Sequence, residues 1–108
     1  MRHAFHPEAA IEFEEAVQFY RERDASLGHR FAHEVRATIR KILEAPDRSR
    51  VLESDVRRCL TRVFPYGVLY TIEPDFILIV AIMHGSREPG YWRHRLRTKP
   101  SLTKNHLQ

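Results

Sequence analysis

Residues 56 to 92 read VRRCLTRVFPYGVLYTIEPDFILIVAIMHGSREPGYW, and the fold is decided there. Three runs rich in β-branched and aromatic residues, Val56–Phe64, Gly67–Glu73 and Phe76–His84, are parted by Pro65-Tyr66 and Pro74-Asp75. Connections that short leave no room for a crossover, so consecutive strands must be antiparallel. Pro65 and Pro74 both suit the second position of a tight turn, where a fixed φ is already what the backbone needs. The third run is apolar from Phe76 to Met83, which predicts a strand covered on both faces and set inside the sheet. In the first run, the period of two puts Arg58, Leu60, Arg62 and Phe64 on one side. Arg57, Cys59, Thr61 and Val63 fall on the other. The third strand delivers His84 to its end, with Arg87 and Tyr91 just beyond.

Upstream, Met1–His6 is short and apolar enough for a first strand. Pro7 fits the first turn of a helix, and Glu8 complements the positive end of the helix dipole. Ala9, Phe13, Ala16, Val17 and Tyr20 then share a face at spacings of three and four, which predicts an amphipathic helix to about Arg23. Glu12, Glu15 and Glu22 are read as lying off that stripe. Asp24-Ala25-Ser26 offers N-cap side chains for a second helix, whose buried stripe is Leu27, Phe31, Val35, Ile39 and Ile42, ending before Pro46. So short a link predicts an antiparallel helix hairpin. Asp47–Asp55 reads as a polar loop. The expected class is α+β in two layers, with an N-terminal strand and a helical hairpin packed on one face of an antiparallel sheet. One domain is expected over residues 1–97, followed by a flexible polar tail over 98–108.

Composition narrows the setting. At 108 residues, 43% apolar and 30% charged, the chain matches an ordinary soluble domain. No apolar run approaches the roughly 20 residues of a membrane span, so no membrane partner is expected. The single cysteine, Cys59, fits a reducing cytoplasm and a packing role. Charge is segregated. Residues 1–56 hold nine Lys/Arg against eleven Asp/Glu, a balance of −2, while residues 57–108 hold nine against three, a balance of +6. Fifteen of the eighteen cations are arginine, which favours forked contacts to phosphate or carboxylate and points to an acidic partner.

Several chemistries lack their motifs. The four glycines, at 28, 67, 85 and 90, make no phosphate-cradling loop. No serine sits in a nucleophile elbow. His29 and His33 have the spacing of a metal pair, but no carboxylate or cysteine is placed to complete a site, so a solvated helix face is expected and neither metal nor cofactor. What remains are the types that metal-free RNA cleavage needs: a base, an acid and a cationic cradle for the phosphate. Arg62, His84, Arg87 and Tyr91 are the candidate catalytic set, and Arg57, Arg58, Arg93 and Arg95 the candidate contacts to a nucleic acid or other target.

The order strand, helix hairpin and meander, with Arg62-Val63-Phe64-Pro65-Tyr66-Gly67-Val68-Leu69-Tyr70 and His84-Gly85-Ser86-Arg87-Glu88-Pro89-Gly90-Tyr91-Trp92, resembles the RelE/ParE superfamily of bacterial toxins over about residues 4–95. The likeness is closest to the ParE-like, plasmid-stabilisation branch. It implies a type II toxin neutralised by a cognate antitoxin that wraps it, with operator DNA reached only through the antitoxin complex. For the ParE-like branch it implies inhibition of DNA gyrase by binding. For RelE-like relatives it implies ribosome-dependent mRNA cleavage, with Arg62, Arg87 and Tyr91 at matching positions and histidine used by some members where His84 stands. The absence of any lysine between Lys41 and Lys99 departs from the lysine-rich strand of the nucleases and favours the gyrase expectation. A third alternative is a degenerate member that binds antitoxin but poisons nothing.

Overall fold

A computed structural model describes residues 1–100, so most of the tail expected over 98–108 lies outside the described residues. Strand β1 spans Arg2–Phe5, helix α1 Pro7–Arg23, helix α2 Ala25–Glu44, and strands β2 to β5 Arg50–Glu53, Val56–Leu60, Tyr66–Ile72 and Phe76–His84. A 3-10 segment, Arg93–Thr98, follows. The sheet order is β1-β5-β4-β3-β2. β2 to β5 form an antiparallel meander, and β1 lies parallel to β5, with Phe5 opposite Ile79. The α+β class and the helix hairpin on one face of the sheet are as expected.

Local chemistry explains the element ends. Asp24 caps α2, its carboxylate accepting from the Ser26 amide at 2.8 Å. His6 caps α1 with its ring, Nδ1 accepting from the Glu8 amide at 3.1 Å. Pro74 takes the second position of the Glu73–Phe76 turn, closed by the Glu73 amide on the Phe76 carbonyl at 2.9 Å.

Three expectations need correction. Part of the Asp47–Asp55 loop is the edge strand β2. β3 stops at Leu60 instead of Phe64, and a five-residue loop, Thr61 to Pro65, replaces the tight turn. The Thr61 hydroxyl bonds the Phe64 carbonyl, and one Glu34 carboxylate oxygen accepts from the Val63 and Phe64 amides, each at 2.9 Å, so the loop's polar groups are met without a partner strand. The alternation beyond Leu60 is therefore lost, and Arg62 does not share a strand face with Arg58. Third, Glu12 is not off the buried stripe. Its side chain is only 13% exposed and reaches β5.

The helices and the sheet enclose one core, in which Phe31, Val35, Ile39 and Ile42 of α2 meet Val68, Tyr70, Ile77, Ile79 and Ile82. The opposite sheet face is covered as well. Trp92, with Tyr91 and Leu96 beside it, packs on Val56, Leu69, Leu78, Val80 and Ala81. Buried on both faces and flanked by β1 and β4, β5 is the interior apolar strand its sequence predicts. Among the described residues no helix is long and apolar enough to cross a membrane.

Candidate functional site

The feature that organises the exit of β5 is a gap in the sheet. β1 ends opposite Ile79, so Val80 to His84 have no strand on that side. Two side chains stand in for one. Glu12 of α1 accepts from the Ile82 amide at 3.0 Å, and Arg95 donates to the Val80 carbonyl at 3.0 Å. Arg95 and Glu12 close on each other in a two-pronged ion pair at 2.8 and 2.9 Å. Tyr91 completes the group, its hydroxyl donating to Glu12 at 2.6 Å. Burial works against the charge on Arg95, but the hydrogen bonds and charge of Glu12 outweigh it and hold the guanidinium pKa above its ordinary value. Burial, then the bond to Glu12, pushes the Tyr91 phenol up as well, so it stays protonated.

Beside this group is a shallow depression of about 220 Å³ lined by Glu12, Glu15, Phe19, Tyr66, His84 and Arg87, among others. The His84 ring stands edge-on to Tyr66 at 5.0 Å, and its Nδ1 accepts from the Ser86 amide at 3.0 Å. With Nδ1 an acceptor, the neutral ring carries its proton on Nε2. Arg87 lies over the Tyr91 ring at 3.8 Å. Burial, then the neighbouring Tyr20, pushes the Tyr66 phenol up to about 12.

The structure thus brings together His84, Arg87 and Tyr91 of the expected catalytic set, and sets Arg62 apart. Arg62 lines a separate cleft of about 600 Å³ between α2 and the Thr61–Pro65 loop, shared with His29 and His33. Arg58 lines a third hollow on the sheet face away from the helices, with Leu60, Gly67 and Met83. A Cβ at Gly67 would sit 3.2 Å from the Arg58 stem, so that side chain would have to shift by a few tenths of an ångström to admit one. Of the other arginines expected to bind a target, three are engaged within the protein. Arg57 donates to the Asp47 and Ser49 carbonyls at 3.0 and 2.8 Å. Arg93 is forked on Glu53 at 2.6 and 2.7 Å, and Gly90, at φ 76°, leaves the room its guanidinium needs. Arg95 is 5% exposed. Arg58, Arg62 and Arg87 have no carboxylate partner among the described residues.

Sequence reading missed Glu12, the residue holding this site together. Its signal was present: Ala9, Glu12 and Ala16 repeat at three and four, which places the carboxylate on a small-residue face pressed to the sheet.

Chemically, the depression offers one imidazole and one arginine next to two carboxylates, Glu12 and Glu15. That is a mixed polar surface, and the hydroxyl of Tyr91 beside it is already bonded to Glu12. Residues 4–89 match a protein-family model described as ParE toxin of type II toxin-antitoxin system, parDE. No curated protein matches the chain.

Proposed function

The chain belongs to the ParE toxin family of type II toxin–antitoxin systems, and from that premise we propose that it arrests growth by binding DNA gyrase, without cutting RNA. The family implies a cognate antitoxin as its partner. The observation that carries the gyrase reading is that the candidate arginines do not converge on the β5 exit. A nuclease must stabilise extra negative charge on phosphorus, and carboxylates at the site oppose that. Here Glu12 and Glu15 border the same depression as His84 and Arg87, while Arg58 and Arg62 line other hollows. The Tyr91 hydroxyl is held by Glu12. A binding inhibitor needs no such convergence, only a rigid surface of complementary shape and charge.

The test is inducible expression followed by two assays on one culture, plasmid supercoiling and transcript integrity. The expected result is stalled supercoiling with an SOS response and intact messages, reproduced with purified gyrase. Transcripts cut within codons while supercoiling proceeds would overturn the proposal in favour of the RelE-like nuclease, for which the proximity of His84 and Arg87 speaks. Normal growth would overturn it in favour of a non-toxic, antitoxin-binding member.

A further inference from the structure

Where the edge strand β1 meets the two helices lies a pocket of about 280 Å³ that shares no residue with the β5 exit or the Arg62 cleft. The sheet ends at β1, so side chains there have no further strand to pack against. One wall is a succession of rings. His3 and Phe5 of β1 have centroids 6.0 Å apart, and Phe13 of α1 stands 6.0 Å from Phe5. A second wall is aliphatic. Val35, Ile39 and Leu43 recur every four residues along α2 and form a row about 12 Å long at the rise of a helix. Val35 and Ile39 are buried, while Phe5, Phe13 and Leu43 are half-buried, so the pocket runs from the core to the surface.

Its rim carries charge of one sign. Arg36 and Arg40, each one position beyond a wall residue, are exposed there, and no acid lines the pocket. Neither arginine has a carboxylate partner among the described residues. The Arg36 guanidinium lies 5.6 Å from the Phe13 ring centroid, which keeps it beside the pocket. Burial holds the His3 pKa below the ordinary imidazole value, so near neutral pH that ring adds a polar edge without a charge. An apolar slot with a few convergent polar groups is the form of a small-ligand site, and arginine forks match a carboxylate. A zigzag chain of about ten carbons, at about 1.5 Å per bond, spans the row from Val35 to Leu43. We propose that this pocket binds a small amphiphilic carboxylate, a medium-chain fatty acid, with its tail along Val35, Ile39 and Leu43 and its head group on Arg36 and Arg40. A neutral apolar molecule would leave both guanidinium groups without a counter-charge. A phosphate backbone would use the rim and leave the apolar walls uncovered.

The probe is decanoate, titrated below its micelle concentration into the isotope-labelled full-length chain and read by amide NMR shifts. Saturable shifts are expected at His3, Phe5 and Phe13 and from Val35 to Leu43 on α2. Arg36→Glu and Arg40→Glu, both at exposed helix positions, should each weaken binding about tenfold, as loss of a charged hydrogen bond does. Arg30→Glu makes the same charge change on α2 outside the pocket and should leave the affinity unchanged. Decanol, the same chain without the charge, should bind about tenfold more weakly or worse. The same spectra show whether each variant is folded. Decanol binding as tightly as decanoate, or a loss in Arg30→Glu as large as in the rim variants, overturns the proposal in favour of unspecific adsorption. Shifts that are absent, or scattered over the surface, overturn it outright. Anionic phosphatidylglycerol vesicles held by wild type and released by both rim variants, with free decanoate unbound, overturn it in favour of a membrane surface.

Discussion

At the scale of the residue, Glu12 and Arg95 decide how the rest of the site is read. Arg95 looks in sequence like one more cation in the run Arg93-His94-Arg95-Leu96-Arg97, free to meet a target. In the fold it is a buried substitute for a missing strand, and nothing in its neighbours along the chain signals that, because its partners lie fifteen and eighty-three positions away. Breaking a buried pair leaves one charge uncompensated, at a cost of about 3–5 kcal/mol. Glu12→Gln should therefore lower the unfolding free energy measured in urea by about 3–5 kcal/mol, with Arg95→Ala comparable. A loss under about 1 kcal/mol would mean that water reaches Arg95. Tyr91→Phe separates structure from chemistry. It removes one hydroxyl bond, worth about 1 kcal/mol, and under the gyrase reading it should leave growth arrest intact at permissive temperature. Arrest abolished in a folded Tyr91→Phe protein would restore Tyr91 to a catalytic role.

At the scale of the element, the helices were legible and the short strands were not. α1 and α2 announce themselves by periodicity, Pro7 and the Asp24 cap. β2 has four residues, three of them exposed, and its hairpin turns through Ser54 at φ 52°, with none of the Asn-Gly or Asp-Gly signals that mark such turns. β3 reads too long because Thr61–Phe64 is as β-prone as a strand, and the bonds that let it leave come from Glu34, reaching across from α2, and from the Thr61 hydroxyl. The β1–α1 junction makes a pH-dependent prediction. His6 is buried, with Nδ1 bonded to the Glu8 amide and Nε2 3.0 Å from the Thr98 hydroxyl. Burial foremost holds its pKa below the ordinary value of 6.5; Glu8 and Glu12 pull upward, and Arg95 and His94 push down. The unfolded chain thus takes up a proton before the folded one. The stability His6 contributes is whole above the ordinary value and is lost as pH falls through the folded value. His3, also lowered by burial, titrates in the same direction. Melting temperature should decline from about pH 7 to 5, and His6→Asn, which keeps a capping acceptor, should flatten part of that slope. An unchanged slope in His6→Asn would place the dependence elsewhere.

At the scale of the whole molecule, what the sequence could not convey is that this two-layer protein has a strap across its back. The meander, the hairpin and the buried β5 follow from local patterns, so the fold class could be read. The parallel pairing of β1 with β5 could not, since β1 is joined to β5 through everything else in the chain. Nor could the strap, because Tyr91-Trp92 followed by a basic stretch looks like the start of a solvated tail. In the fold Trp92 is the largest fully buried side chain, seated on Leu69, Leu78, Val80 and Ala81. Polar contacts fasten the rest: ion pairs join Arg93 to Glu53, Arg95 to Glu12 and Lys99 to Glu73, and the His94 ring hydrogen-bonds Glu8 at 3.0 Å. The acidic first half and the basic second half of the sequence are in this respect complementary parts of one protein, and part of the +6 balance is consumed inside it. Most of these pairs are exposed and individually weak. The apolar seat does most of the holding, so the strap should resist salt and fail on loss of its tryptophan. Trp92→Ala is expected to cost about 3–5 kcal/mol and to expose the sheet face to a hydrophobic dye, while raising salt to about 1 M should shift the wild-type melt by only a few degrees. If salt alone released the strap and Trp92→Ala left the melt in place, charge would be the fastening and the buried indole incidental.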